Sequence, residues 1–392
     1  MKWMADELGL LAGDSLERTL IDSTPAQGSP GYMVRGDRAL LNLSSNDYLG
    51  LSGHPAIAEA MRDALTAHGA GAGASRLVTG NRPIYGQLEG ALADWQSSEA
   101  ALVFANGYMA NVGVIGALVG RGDAVFSDRL NHASIVDGIA LSRAEHARYR
   151  HNDMEHLRHL LNKHRDARRK LIVTDAVFSM DGDRAMLGEL VQLKREHGAM
   201  LMVDEAHSGG VYGPNGEGLC HSLGLHDEVD VHMGTFSKSF GLYGAYVTGS
   251  KIVIRWLVNK ARPFIYSTAL PPAIIAGIAE ALRLVRQESR RREWLAEASR
   301  LFRAALREAG FQAGAGDSPI VPVLVGGNDA ALRFSSALEA EEILGVAIRP
   351  PTVPEGTARI RFSLSASHAE AELLDAVRRI ARAGRMAGVL KP

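Results

Sequence analysis

Short apolar runs closed by small or acidic residues recur through the middle of the chain. Ala100–Phe104, Ala124–Ser127, Leu171–Val177, Met200–Val203, Val229–Met233 and Ala245–Thr248 each read as a buried strand. Helical patterns at Met109–Val119, Met154–His164 and Leu187–His197 separate several of them. Alternation of this kind predicts an α/β fold, a mostly parallel sheet with helices on both faces. Upstream, Met1 to about Leu20 reads as a short helix and Leu41–Leu51 as a brief strand with a turn at Asn46-Asp47. Ile57–His68 reads as a helix with Ile57, Met61, Ala64 and Leu65 on one face. Downstream, Pro271-Pro272 opens a long helical region. Trp294, Leu295, Ala298, Leu301, Phe302, Ala305 and Leu306 form its apolar stripe, and Arg290, Arg291, Arg292 and Glu293 begin its solvated side. Ile320–Val325 and Ala358–Leu364 read as strands. In the second, Ile360, Phe362 and Leu364 alternate with Arg359, Arg361 and Ser363, a half-exposed pattern. A last helix covers about Ala369–Ala383. The chain thus divides into an N-terminal segment (1–50), a large domain (51–280) and a smaller α+β C-terminal domain (281–392).

At 392 residues the chain exceeds one compact core, in keeping with that division. A net charge of −1 gives no reason to expect nucleic acid or an anionic membrane as partner. Cys220 is the single cysteine, which excludes an intrachain disulfide and a cysteine-cluster metal centre, and no metal is expected. Acidic residues at Asp6 and Glu7 argue against a secretory signal, and the most apolar window, Met109–Val119, is too short to span a bilayer. A soluble protein of a reducing cytoplasm is the expectation.

Candidate chemistry gathers at two predicted strand ends. Val229–Met233 runs into Gly234, Thr235, Phe236, Ser237 and Lys238. A lysine among small residues at a strand tip is either a snorkelling cation or an amine kept neutral for Schiff-base chemistry. Ala199–Val203 ends in Asp204, Glu205, Ala206 and His207, 34 residues upstream of Lys238 by the difference 238 − 204. That spacing admits a loop, a helix and the next parallel strand, so both tips can face one site. Pyridoxal phosphate (PLP) asks for such a pair: a lysine for the aldehyde and a carboxylate for the ring nitrogen. Asn106-Gly107-Tyr108-Met109 leads from a strand into a helix, whose first amides suit a phosphate. Gly69-Ala70-Gly71-Ala72-Gly73 lacks both a preceding strand and the G-x-G-x-x-G spacing, and reads as a flexible approach loop. Taken alone, His132 reads as a helix-start or core histidine, and Asp175 as a supporting carboxylate rather than a catalytic one.

Ten segments then carry a family resemblance. They are NDYLGL (Asn46–Leu51), GAGASRLVTGN (Gly71–Asn81), NGYMAN (Asn106–Asn111), SDRLNHASIVDG (Ser127–Gly138) and YRHND (Tyr149–Asp153). VFSMDGD (Val177–Asp183), VDEAHSGGVYG (Val203–Gly213), GTFSK (Gly234–Lys238), YSTALPP (Tyr266–Pro272) and IRPPTVPEGTARIRFSLSASH (Ile348–His368) complete them, in family order. The chain resembles the α-oxoamine synthases, PLP enzymes of fold type I. The resemblance implies a PLP-dependent transferase with a seven-stranded sheet, one strand antiparallel, and a homodimer with active sites at the subunit interface.

It also implies residue roles. Lys238 would be covalent anchor and general base, Asp204 the partner of the ring nitrogen, and His132 a stacking residue that also meets substrate. His207, with Ser179, would bond the phenolic oxygen. The phosphate would lie on the Gly107 and Tyr108 amides, with hydroxyls from Thr235 and Ser237 and from Ser267 and Thr268 of the partner subunit. For the amino-acid carboxylate, Arg349 offers a bidentate fork stiffened by Pro350-Pro351, helped by Asn46 and Thr352. Arg18 would meet the distal end of the acyl chain, and Arg361, on the exposed strand face, would be structural. Within the family, IRPPTVPEGTARIR and SRLVTGN look most like members that join L-alanine to pimeloyl-CoA or a pimeloyl-carrier protein. Those members release 8-amino-7-oxononanoate, carbon dioxide and free thiol in biotin synthesis. A glycine C-acetyltransferase using acetyl-CoA, or a serine-using long-chain acyltransferase, is the alternative. A cofactor-binding regulator would need a basic DNA-reading domain, and only about forty residues precede NDYLGL. A structural protein with a dead site would not take up the aldehyde.

Overall fold

The fold is that of a computed structural model describing residues 1–391. It divides into two compact units, one of residues 51–178 and 184–292, the other of residues 1–50, 179–183 and 293–392.

The larger unit is built on seven strands: β1 Ala100–Phe104, β2 Ala124–Asp128, β3 Glu145–Tyr149, β4 Lys170–Asp175, β5 Met200–Asp204, β6 Val231–Thr235 and β7 Ala245–Gly249. Their order across the sheet is β1-β7-β6-β5-β4-β2-β3. β7 runs antiparallel to both its neighbours and the other pairings are parallel. This is the predicted architecture. Parallel strands are covered on both faces, so β2, β4 and β5 read as unbroken apolar runs, and Val125, Phe126, Leu171, Ile172, Val173 and Leu201 are fully buried. β3 was not visible in the apolar pattern. It pairs with β2 alone, at the sheet edge, and its sequence Glu-His-Ala-Arg-Tyr buries only Ala147 and Tyr149. β4 stops at Asp175, two residues short of the predicted end, whereas β6 carries on through Gly234 to Thr235.

Three helices of this unit also went unread: Pro83–Trp95, Ala133–Ser142 and Lys251–Lys260. The helix Gly107–Leu118 is apolar all round, and Ala110, Val114, Ile115 and Leu118 join Phe104, Val173 and Met233 in one core. A side chain at Gly138 would come within 3.2 Å of the Asn111 carbonyl, so Ala133–Ser142 lies hard against this helix. In the helix Pro55–His68, Ile57 and Ala64 are buried while Leu65 faces solvent, so the apolar face is narrower than predicted. Arg292 corrects the reading of the arginine cluster as wholly solvated: it is buried. Its guanidinium donates to the Val285 carbonyl in the last turn of the helix Pro272–Gln287 and, at 2.8 Å, to the Pro214 carbonyl. Satisfying a carbonyl that the helix end leaves free is what draws it inward.

The smaller unit has two sheets. Ile320–Gly326, Ala358–Ser363 and Ala347–Ile348 form an antiparallel three-stranded one. Thr24–Pro25, Tyr32–Arg35 and Arg38–Asn42 form the other with Ile343–Leu344, which pairs parallel to Arg38–Asn42. Leu40, Leu41, Phe302, Phe334, Phe362 and Ile380 are fully buried here. Residues 1–50 are therefore part of this unit rather than a segment apart, and the boundary falls at Arg292/Glu293, inside the helix Ser289–Glu308, not near residue 280. The first helix ends at Gly13, short of Leu20. Among the described residues no helix is long and apolar enough to cross a membrane.

Candidate active site

Neighbouring parallel strands bring their carboxyl ends together, and the register pairs Asp175 of β4 with Asp204 of β5. Asp204 is 3% exposed. Its Oδ1 accepts from the Ala206 amide at 2.9 Å and its Oδ2 from Asn111 Nδ2 at 2.8 Å. Lys238 follows the end of β6 and is half-buried, with Nζ 2.7 Å from His207 Nε2. The histidine three residues beyond Asp204, past the β5 tip, thus meets the amine. Gly234 is forced by packing. A Cβ there would stand 2.3 Å from Tyr246 Cζ, so the strand leading to Lys238 rests directly on the Tyr246 ring.

Thr235 Oγ1 donates to the Gly244 carbonyl at 2.9 Å, which leaves it to accept from Ser237 Oγ at 2.8 Å and from the Ser237 amide at 3.2 Å. The loop between β6 and Lys238 is thereby fixed by its own hydroxyls. Across from it, Asn106 caps the helix Gly107–Leu118, its Oδ1 accepting from the Met109 amide at 2.9 Å. First-turn amides have no intrahelical acceptor, so those of Gly107 and Tyr108 point out of the helix end, and Gly107 lies against Thr235. The Tyr108 hydroxyl donates to Asp137, which pushes its pKa up.

Sequence reading missed Asn111. Its Nδ2 serves both Asp204 Oδ2 and, at 2.9 Å, Ser134 Oγ. Ser134 Oγ in turn lies 2.7 Å from His132 Nδ1. The Ser134 amide donates to Nδ1 at 3.3 Å, so Nδ1 is an acceptor, the hydroxyl donates to it as well, and a neutral His132 carries its hydrogen on Nε2. His132 is the N-cap of Ala133–Ser142, and its amide donates to Asp175 Oδ2 at 2.8 Å. The residue is exposed, yet its ring sits low enough that desolvation pulls its pKa down, with the Asp204 charge pulling upward and Lys238 downward. Burial, then the neighbouring Asp204 charge, drives the Asp175 carboxyl well above its ordinary range. Asn111 was legible in one respect: it lies four residues after Gly107, on the same helix face as the free amides.

Of the remaining predicted residues, Ser267 and Thr268 belong to the larger unit. Ser267 and Thr268 line a small cavity with Arg76, Tyr85 and Phe264, and Thr268 bridges to Ser75. The loop after Gly69–Gly73 is pinned by Arg76, whose guanidinium pairs with Glu89 and stacks 4.0 Å over the Tyr85 ring. Ser179, Asn46, Arg18, Arg349 and Thr352 belong to the smaller unit. There Arg361 overturns the expectation of an exposed strand face: it is 7% exposed. It donates to the Ser179 carbonyl, to Asn46 Oδ1 through both terminal nitrogens at 3.1 Å, to Ser363 Oγ at 2.7 Å and to Tyr48 at 3.3 Å. Arg349 is half-buried and donates to the Ser15 and Glu17 carbonyls, while Arg18 donates to the Pro350 carbonyl at 3.2 Å. Burial and the nearby Arg18 charge both lower the Arg349 pKa. Thr352 is exposed, its amide closing a turn on the Arg349 carbonyl at 3.1 Å.

A lysine amine on a flexible stem, a buried carboxylate held by two donors, and a helix N-terminus with free amides are the three anchors PLP requires, and they occur together in the larger unit. Residues 38–380 match the family described as aminotransferase class I and II. A protein of Geobacillus kaustophilus (strain HTA426), provisionally named an 8-amino-7-oxononanoate synthase, is 54% identical over 366 residues, 93% of this chain and 94% of its own. Among solved structures, a Sphingomonas wittichii serine palmitoyltransferase superposes with a TM-score of 0.94 at 32% identity, covering 100% of this chain and 98% of that one. The 8-amino-7-oxononanoate synthase of Francisella tularensis gives 0.77 at 27% identity, over 88% and 98% of the two chains. The chain therefore belongs to the class I and II aminotransferase family of PLP-dependent enzymes, and within it to the acyl-transferring α-oxoamine synthases.

Proposed function

We propose that this enzyme joins L-alanine to a pimeloyl thioester, pimeloyl-CoA or pimeloyl-carrier protein, with loss of carbon dioxide and free thiol, to give 8-amino-7-oxononanoate for biotin synthesis. The observation that carries the reading is the 54% identity over nine-tenths of both chains to a relative of that name. PLP, when bound, supplies an electron sink for negative charge at the substrate α-carbon. Asp204, held by Asn111 and the Ala206 amide, would hold the pyridine nitrogen of that cofactor and keep it protonated. Lys238 Nζ would hold the cofactor and, released when the amino group of alanine takes its place, would accept the α-proton of alanine and return a proton after carbon dioxide leaves, with His207 Nε2 steering the amine. His132 would stack on the ring, and His207 and Ser179 would hold its phenolic oxygen. The Gly107 and Tyr108 amides with Thr235 and Ser237 hold the phosphate, joined by Ser267 and Thr268 from a second copy in a homodimer. Arg349, with Asn46 and Thr352, takes the amino-acid carboxylate, and Arg18 the far end of the acyl chain.

Serine palmitoyl transfer is the second reading, favoured by the higher TM-score to that enzyme. Backbone similarity follows the shared fold, and the 54% identity to the Geobacillus relative exceeds the 32% to the serine enzyme, so the alanine reading leads. A panel crossing alanine, glycine and serine with pimeloyl, acetyl and palmitoyl thioesters, reading carbon dioxide release, decides between them. Alanine with pimeloyl thioester should give the highest kcat/KM, glycine falling roughly tenfold or more for its missing methyl. A preference for serine with palmitoyl thioester, or glycine with acetyl thioester, would replace the assignment.

A further inference from the structure

Glu205, Cys220 and His232 form a second cluster, all three buried, to which none of the roles above is assigned. One ligand atom from each lies within 4.8 Å of the others. Glu205 Oε1 accepts from the Cys220 amide at 3.0 Å and from Ser208 Oγ at 3.1 Å, and its Oε2 stands 3.2 Å from His232 Nδ1.

His232 supplies the decisive contact. Its other ring nitrogen, Nε2, lies 3.0 Å from the His226 carbonyl, which can only accept, so Nε2 carries a hydrogen. A neutral ring then turns the Nδ1 lone pair toward a carboxylate. Two acceptors at 3.2 Å need positive charge at that point, either a second imidazole proton or a metal ion. The same ring supplies what a metal-ligating histidine has: a free nitrogen toward the ion and an N–H fixed on a backbone carbonyl behind it. His221 borders the cluster without joining it. It stacks on His226 with ring centroids 4.2 Å apart and lies 6.1 Å from the His232 ring, and both its ring nitrogens are buried without a hydrogen-bond partner among the described residues.

We propose that Glu205, Cys220 and His232 bind one borderline-soft divalent cation of the zinc class, with solvent completing the shell. Thiolate, imidazole and carboxylate are the three side-chain donor types that zinc takes. On binding, the Cys220 S–H bond breaks, a metal–sulfur bond forms and the proton leaves to solvent. Affinity therefore rises with pH. The ion would tie together the residue after β5, the interior of β6 and the short helix Leu219–Ser222. It would therefore stiffen the backbone that carries Asp204, whose neighbour Glu205 already donates its amide to the Met233 carbonyl at 2.7 Å.

The test uses the full-length, cofactor-loaded enzyme, stripped with chelator and then titrated with Zn²⁺ or Co²⁺. Expected are one ion per chain, a thiolate-to-metal charge-transfer band in the Co²⁺ spectrum, and a Tm raised by Zn²⁺. Cys220→Ser should remove the band and weaken Zn²⁺ binding by roughly 100-fold, and His232→Gln should weaken it comparably. His159→Gln, at an exposed position, should leave both unchanged. Because the band is read in the unmutated protein, a variant that fails to fold does not blunt the test. Absence of the band, or binding that survives Cys220→Ser in a folded protein, would overturn the proposal and leave a buried Glu205–His232 ion pair. Metal content is read independently of turnover, so the outcome does not depend on the substrate assignment.

Discussion

Asp204 and Asn111 are joined across 93 residues of sequence by a 2.8 Å hydrogen bond from amide to carboxylate. A donor to a buried charge is worth about 1.5–3 kcal/mol. Asn111→Ala should therefore lower PLP affinity or kcat/KM by roughly 10- to 100-fold, read by cofactor titration and by initial rates. Asn111→Asp, which adds a third carboxyl group beside Asp175 and Asp204, should do worse than alanine.

Lys238→Ala should remove turnover, by more than about 1,000-fold, while leaving Tm close to that of the parent. Lys238 is half-buried at a strand tip and carries none of the core, so a large fall in Tm would contradict this placement. Undiminished steady-state activity would remove Lys238 from the proposed mechanism.

The two arginines of the smaller unit should separate cleanly. Arg361→Met leaves Asn46 Oδ1 and the Ser179 carbonyl without their donor in a buried setting, and should cost about 3 kcal/mol or more in denaturant unfolding. Arg349→Met, at a half-buried position bonded to two backbone carbonyls, should cost about 1 kcal/mol or less. It should instead raise the KM for the amino acid if Arg349 takes the substrate carboxylate.

His368 makes stability depend on pH. It is buried, its Nδ1 accepts from the Ser365 amide at 3.2 Å, and burial pushes its pKa down to about 4. The unfolded chain takes up this proton near pH 6.5 and the folded one only near 4, so the contribution is complete above 6.5 and is lost as pH falls toward 4. The span corresponds to about 3 kcal/mol. His368→Asn, which keeps an acceptor without the titration, should flatten the acid limb of a Tm-against-pH curve by that amount relative to the parent.

How much could be read in advance depended on whether a residue's partners were local. The tips holding Asp204 and Lys238 were legible because fully covered parallel strands spell themselves as apolar runs. β3 was not, since an edge strand needs only alternate burial. Arg361 was misplaced for a different reason: alternation with Ile360 and Phe362 mimics a half-exposed strand. Its acceptors come from Asn46 and Ser179, 315 and 182 residues away, which no local pattern announces. Asn111 likewise points at a carboxylate on another strand.

The smaller unit is stitched from the two extremes of the chain. Ser44 Oγ donates to the Leu344 carbonyl, and the Ser363 amide to the Leu43 carbonyl. During synthesis Arg38–Asn42 therefore leaves the ribosome some three hundred residues ahead of Ile343–Leu344, the strand on its far edge. The sheet that carries Lys238 is complete long before then, so it can form first, and the amino-terminal strands, paired only with one another, must hold that far edge open until the last part of the message is translated.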